Sequence, residues 1–364
     1  MTKRPLDLPL VILLMLLIAS GAAIFFSASL GILGRGGENF ESIVLKHYLL
    51  GFGGGGIALF ALSRVPFHIY RKYAYAFFLT GLFLTFAVFI PGVGMYHGGA
   101  TRWINLGPIT FQPSELLKIG TIIYAAALFA STRRRNNPSL RALLPLIGVL
   151  GLAALALILQ PDIDNLVILF AALTAMYIVA TGKWSHAIAA GFIGLLVLAS
   201  VALVEPYIRS RIMTLISPGD FQGAGYQIKQ SLIAVGSGGL TGRGFGQSIQ
   251  KHSYLPEPIG DSIFAVYAEE TGFIGSVFLV LLYLGFTLRG LTVASRVPDA
   301  FGGLLAIGIV ILISAQSFIN IAAMIGIIPL SGNTLVFVSH GGSALLVAMA
   351  QAGILLNISR YATL

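Results

Sequence analysis

Several charged residues stand in a chain that otherwise has little use for charge, and their spacing suggests chemistry. Glu115 and Lys118 are three residues apart, so on a helix they share one face. They form either a simple intrahelical ion pair or a working pair, in which Lys118 offers positive charge to an anionic substrate and Glu115 orients it. Asp162 and Asp164 follow Gln160-Pro161. Two carboxylates so spaced could hold a divalent cation, although no further ligands are evident and a solvated turn explains them as simply. Asp261 follows the stiff segment Leu255-Pro256-Glu257-Pro258-Ile259-Gly260 and opens an apolar run. A helix N-terminus favours a carboxylate there, and a capping aspartate can also serve as a general base. Glu269 and Glu270 lie two turns further, about 12 Å along a helix. At about 100° per residue they point away from the Asp261 face, so at least one should pair with another helix. Ser339-His340-Gly341-Gly342-Ser343 has the composition of a hydrolase nucleophile segment. A nucleophile elbow needs a strand, a turn and a helix in a soluble sheet, and nothing here supplies the sheet. His47, His68, His97 and His186 read as isolated and unremarkable.

The elements that must position these groups are membrane helices. Of the 364 residues, 57% are apolar and 10% are charged, against about 25% charged in a soluble chain. Lipid must therefore be the main solvent. Cysteine is absent, which excludes disulfides and thiolate metal sites. The net charge of +9 fits basic loops on one membrane face rather than nucleic acid, because no basic run is interleaved with aromatics. Apolar runs predict about ten spans near 8–32, 44–64, 72–92, 113–132, 142–160, 163–182, 186–204, 262–288, 300–327 and 337–357. The first run is too long for a signal peptide and reads as a retained helix. With Lys3 and Arg4 inside, Arg64, Arg71, Lys72, Arg133, Arg134, Arg135, Arg141, Lys183, Arg289, Arg296 and Arg360 all fall on the inner side.

The resulting fold class is an all-α polytopic membrane protein, one domain over 1–364, with both termini cytoplasmic. One long extracellular loop, 205–260, joins helices 7 and 8 and carries Arg209, Arg211, Lys229, Arg243 and Lys251. Within it, Tyr226 to Val235 reads as a short amphipathic helix. The Gly51–Gly56 segment, GFGGGG, lies inside a span and lacks the lysine and serine of a phosphate loop, so it serves close helix packing. This topology brings Arg102, Glu115, Lys118, Asp162, Asp164, Asp261, Ser339 and His340 toward the outer surface. An ionisable group at membrane depth is costly and is a functional hypothesis by default.

The sequence resembles the SEDS family, the shape, elongation, division and sporulation proteins typified by FtsW and RodA. The matching segments run in order through nearly the whole chain. They are Gly99-Ala100-Thr101-Arg102-Trp103-Ile104, Gln112-Pro113-Ser114-Glu115-Leu116-Leu117-Lys118, Gln160-Pro161-Asp162, Gly225-Tyr226-Gln227, Gly242-Arg243-Gly244, Leu255-Pro256-Glu257 with Asp261, Glu269-Glu270, Pro329-Leu330-Ser331-Gly332 and Ser339-His340-Gly341-Gly342-Ser343. The chain departs from the family pattern at Ile163-Asp164-Asn165, Ile259-Gly260, Thr334, Val336 and His340. Ser27-Ala28-Ser29 and Leu356-Asn357-Ile358-Ser359-Arg360 look more like FtsW than RodA. The resemblance implies a peptidoglycan glycosyltransferase of the bacterial cytoplasmic membrane that polymerises lipid II at the outer face. It implies Asp261 as catalytic base, with Arg102, Glu115, Lys118, Asp162, Arg243, Ser339 and His340 binding substrate. It also implies a class B penicillin-binding protein as partner, with no cofactor evident beyond a divalent cation that the acids could hold. A lipid II flippase and a non-catalytic scaffold are the rival expectations, and glycan polymerisation by the purified protein with no added glycosyltransferase separates the enzyme from both.

Overall fold

The computed structural model describes residues 4–33, 40–97, 100–105, 107, 110–133, 140–186 and 224–363, with isolated residues between 188 and 214. Its long helices are α1 (Leu8–Leu33), α2 (Phe40–Leu62), α3 (Ala74–Ala87), α4 (Pro113–Arg133), α5 (Leu140–Leu159), α6 (Ile163–Thr181), α7 (Ala224–Ser237), α8 (Ile263–Arg296), α9 (Ala300–Met324) and α10 (Gly342–Ser359). All but α7 coincide with an expected span. The expected span at 186–204 falls largely outside the described residues. Among the described residues, seven helices are long and apolar enough to cross a bilayer. Placed in one, helices satisfy every backbone group internally, as hydrocarbon demands.

Burial sorts the helices into an inner and an outer set. The apolar stretches of α9 and α10 are 78% and 83% buried, whereas that of α1 is 33% buried. Accordingly α9 forms the centre, packed by α8, α6 and α4, with Ser314, Gln316, Ser317 and Asn320 among its buried residues. The outward residues of α1, such as Ile12, Met15 and Phe26, remain exposed and face lipid. The glycine-rich segment of α2 packs as expected. Gly51 meets Leu345 and Gly55 meets Met349, both on α10. Around it the helix widens into a π-helix, His47–Gly54.

Two features were not anticipated. The 93–112 connection is not a plain loop but a small antiparallel meander: β1 (Gly94–His97), β2 (Ala100–Asn105) and β3 (Thr110–Phe111). Ile104 pairs with Gly94 on one side and Phe111 on the other, which fixes Arg102 on the central strand. The second feature is a break in α8. Gly272 has φ +66, and a Cβ there would lie 2.4 Å from Gly242 N and 2.6 Å from Leu240 O. Only glycine permits both this conformation and this approach. The segment 263–271 therefore stands above the break and packs beneath residues 238–251. The expected amphipathic helix of the long loop is α7, which packs against α8.

Candidate active site

Asp261 is held by its backbone, and among the described residues no hydrogen bond reaches its carboxyl. Asn320 of α9 donates from Nδ2 to Asp261 O at 2.8 Å and to Asn333 O at 2.7 Å. One residue earlier, Ser339 Oγ donates to Gly260 O at 2.8 Å, and His340 N donates to Ile259 O at 2.7 Å. Ser339 Oγ also accepts from Leu335 N. These bonds knit the 259–261 turn to the 331–340 segment. That segment is itself pressed on α1, where a Cβ at Gly21 would come within 2.0 Å of Phe337 O. Asp261 is not the helix cap. The cap residue is Ser262, without a side-chain cap bond, and α8 begins at Ile263. The half-buried carboxyl thus meets no donor from its own helix.

Around it three side chains converge on Gly332. A Cβ there would lie 3.5 Å from Arg211 Nη2, 3.8 Å from Asp164 Oδ2 and 3.9 Å from Asp261 Oδ2. Asp164 accepts from Gly332 N at 2.9 Å and from Arg211 Nη1 at 3.1 Å. Desolvation pushes the Asp261 carboxyl up to about 7; the Glu257 and Asp164 charges reinforce the shift, and Arg211 and Arg102 oppose it. A carboxylate poised near neutrality is what general-base work requires.

Next to this cluster lies a buried polar network. Asp162 Oδ2 accepts from Asn165 Nδ2 at 2.9 Å and from Ser114 Oγ at 3.2 Å. Lys118 Nζ donates to Asn165 Oδ1 at 2.7 Å and Gln316 Oε1 at 2.9 Å, and lies 2.9 Å from Glu115 Oε1. Three acceptors saturate an ammonium group. The expectation that Lys118 meets an anionic substrate directly is therefore corrected: it ties α4 to α6 and α9. Ser339, Glu115 and Lys118 line one narrow cavity with Gln316 and Gln351. Asp162 is likewise not a solvated turn residue. It and Asp164 face different partners, and among the described residues no three acids or histidines converge as a cation site.

The other expected residues divide. Arg102 Nε donates to Gln160 O at 2.9 Å, and its Nη2 donates to Pro161 O. It clamps the turn that presents Asp162 and Asp164, and its field reaches Asp261. Arg243 lies 3.2 Å from Glu269, in a second group on the long loop. There Glu269 also accepts from Ser248 Oγ, Ile249 N and Gln250 N. Glu270 takes Lys251 Nζ at 2.6 Å and accepts from Ser27 Oγ on α1, so it does pair with another helix as its angle required. The His340 ring stacks on Phe25 at 6.0 Å and lies 5.5 Å from His47. His47 is not unremarkable: it is buried, and neither ring nitrogen has a hydrogen-bond partner among the described residues.

The sequence offers Asp164 only as a turn residue or a candidate cation ligand beside Asp162, and Arg211 only as one of the basic residues of the 205–260 connection. Only the fold places them beside Asp261.

Comparison with known proteins gives this arrangement a context. The model of the FtsW/RodA/SpoVE cell cycle proteins matches residues 8–364. The chain belongs to this family. Stage V sporulation protein E of Bacillus subtilis (strain 168) is 38% identical over 361 residues, covering 99% of this chain and 98% of that protein. A protein named probable peptidoglycan glycosyltransferase FtsW, from Geobacter sp. (strain M18), is 36% identical over 85% of this chain and 84% of its own. A solved chain of a peptidoglycan synthase complex, described as coordinating polymerization and crosslinking, superimposes with a TM-score of 0.79 at 25% identity, covering 98% of both chains. A mutant of the rod shape determining protein RodA of Thermus thermophilus shares the fold, with a TM-score of 0.72 at 24% identity over 98% of this chain and 97% of its own. The relatives at 36–38% identity carry the names stage V sporulation protein E and probable FtsW. The chain is a multi-pass protein of the bacterial cytoplasmic membrane.

Proposed function

We propose that this protein is a peptidoglycan glycosyltransferase that polymerises lipid II into glycan strands at the outer membrane face, for division or cell shape. The observation that carries this reading is a carboxyl group, Asp261, fixed at the outer end of the bundle and poised near pH 7 beside two guanidinium groups. Asp261 takes the proton of the acceptor sugar hydroxyl as that oxygen attacks the anomeric carbon of the donor. The bond from that carbon to the diphosphate oxygen breaks, and negative charge develops on the lipid-linked diphosphate. Arg211 and Arg102 supply the positive field that stabilises it. Glu115, Lys118, Asp162 and Ser339 hold the floor and rim of the site. His340 fixes the turn through its backbone, and Arg243 anchors the covering loop to Glu269.

The partner this reading calls for is a class B penicillin-binding protein that crosslinks the product. The solved synthase complex, described as coordinating polymerization and crosslinking, supports it. Purified protein with that partner and lipid II supplies the test. Polymer formation with no added glycosyltransferase supports the proposal, and wild-type rates from Asp261→Asn refute the base assignment. The same assay with and without a chelator decides whether a divalent cation takes part. A flippase or a scaffold yields no polymer.

A further inference from the structure

The basic end of the bundle holds a second polar cavity, remote from Asp261. It has a volume of about 270 Å³ and lies where the start of α1, the end of α8 and the segment after α10 meet. Its polar lining includes Arg4, Asp7, Arg289, Arg296, Ser359 and Thr363. The walls are tied together: Arg4 N donates to Arg360 O at 2.9 Å, Thr363 N to Arg296 O at 2.9 Å, and Asp7 N to Ser359 Oγ at 3.4 Å. The cavity therefore exists before any ligand arrives.

Its charge is unbalanced. Among the described residues Asp7 is the single acid in the lining, and it is fully engaged. Arg289 reaches it through Nε at 2.9 Å and Nη2 at 2.6 Å, and Leu10 N donates to it at 3.0 Å. The guanidinium of Arg289, and behind it that of Arg296, hold the Asp7 carboxyl below its usual value. Arg4 and Arg296 are exposed and pair with no carboxylate among the described residues. Two unneutralised guanidinium groups at the mouth of a preformed pocket match a phosphodiester, which arginine binds through parallel N–H donors.

Apolar residues decide between a lipid and a free anion. Leu8 lines the cavity and is 66% exposed, and Leu288, one residue before Arg289, is 57% exposed. Both sit where acyl chains would run. The inner leaflet is rich in anionic lipid, and basic pockets between membrane helices on that side bind such headgroups. Lipid-linked sugar polymerised at the outer face cannot be the occupant, because this cavity is at the opposite end of the bundle.

We infer that this cavity is a binding site for the headgroup of an anionic phospholipid of the inner leaflet, held by Arg4 and Arg296 and walled by the Asp7–Arg289 pair. The test uses the full chain in neutral detergent, titrated separately with phosphatidylglycerol, phosphatidylcholine and inorganic phosphate. Thermal melting and retained lipid, measured by native mass spectrometry, are the readouts. Phosphatidylglycerol should raise the melting temperature and remain bound at one per chain, and the other two probes should do neither. The double variant Arg4→Gln/Arg296→Gln should weaken lipid binding about thirtyfold, because each substitution removes one basic group that faces the headgroup. Arg296→Lys, which keeps the charge and removes the planar fork, should fall between. Lys72→Gln removes a charge from the same basic end, outside the cavity, and should bind as wild type. Equal effects of the two lipids, saturation by inorganic phosphate, or equal weakening in Lys72→Gln would each overturn the inference.

Discussion

If Asp261 is the base, the rate of polymerisation must follow its ionisation. Its carboxyl is raised from 3.8 to about 7. The ionised fraction is then about one in eleven at pH 6 and about ten in eleven at pH 8, so the rate climbs roughly tenfold across that interval. The causes of the shift offer a sharper test, because they have opposite signs. Glu257 and Asp164 raise the value, and Arg211 lowers it. The positions around Gly332 put Arg211 and Asp261 within about 8 Å, where unit charges at an effective dielectric of about 20 interact by about 2 kcal/mol, on the order of one pKa unit. Glu257→Gln should move the rising limb toward acid, and Arg211→Gln should move it toward base by about one pH unit. Arg211→Gln should also lower the plateau, since it removes charge from the leaving group. The assay is the initial rate of glycan formation from lipid II between pH 5.5 and 9. Shifts in the same direction, or a limb that ignores both substitutions, would refute the placement of the base. Stability adds an independent reading. The folded protein keeps this proton up to about pH 7, whereas an unfolded aspartate releases it near 3.8. Ionising Asp261 therefore costs stability as pH rises through that window. Asp261→Asn should lower the rate by about 10²–10⁴ and yet melt higher than wild type at pH 8.

Other consequences follow from the buried groups. Lys118→Met leaves Glu115 buried and unpaired, and should cost about 3–5 kcal/mol. Adding Glu115→Gln should recover part of the loss in melting temperature. Lys251→Met strands Glu270 in the same way and should speed amide exchange across residues 238–251, leaving α9 unchanged. Gly272→Ala puts a Cβ 2.4 Å from Gly242 N at a φ of +66, so it should destabilise by about 1–3 kcal/mol and expose the same loop to protease.

The helices were legible in the sequence because hydrocarbon imposes one rule on every span, an apolar run of fixed length. Arginine and lysine follow a second rule, which assigns the connections to one side or the other. No comparable rule covers the parts that make the site. The meander at 94–111 is short and polar enough to pass for a loop, and its strands exist because they pair with each other. The break at Gly272 is invisible in an apolar run, since what demands it is the backbone of Leu240 and Gly242, some thirty residues earlier. Charge alone also misled on role. Lys118 looked like a cation offered to substrate, and the fold surrounds it with Asn165, Gln316 and Glu115 until no N–H remains. Arg211 carries the same formal charge and had no helical motif to recommend it, yet it stands beside Asp261 and Asp164. Lys118 shares its charge with one buried acid and two amides inside the bundle, whereas Arg211 pairs with Asp164 next to the carboxyl of Asp261. Which partner each cation meets is set by tertiary structure, so a sequence reveals which residues carry charge and the structure reveals what each is placed against.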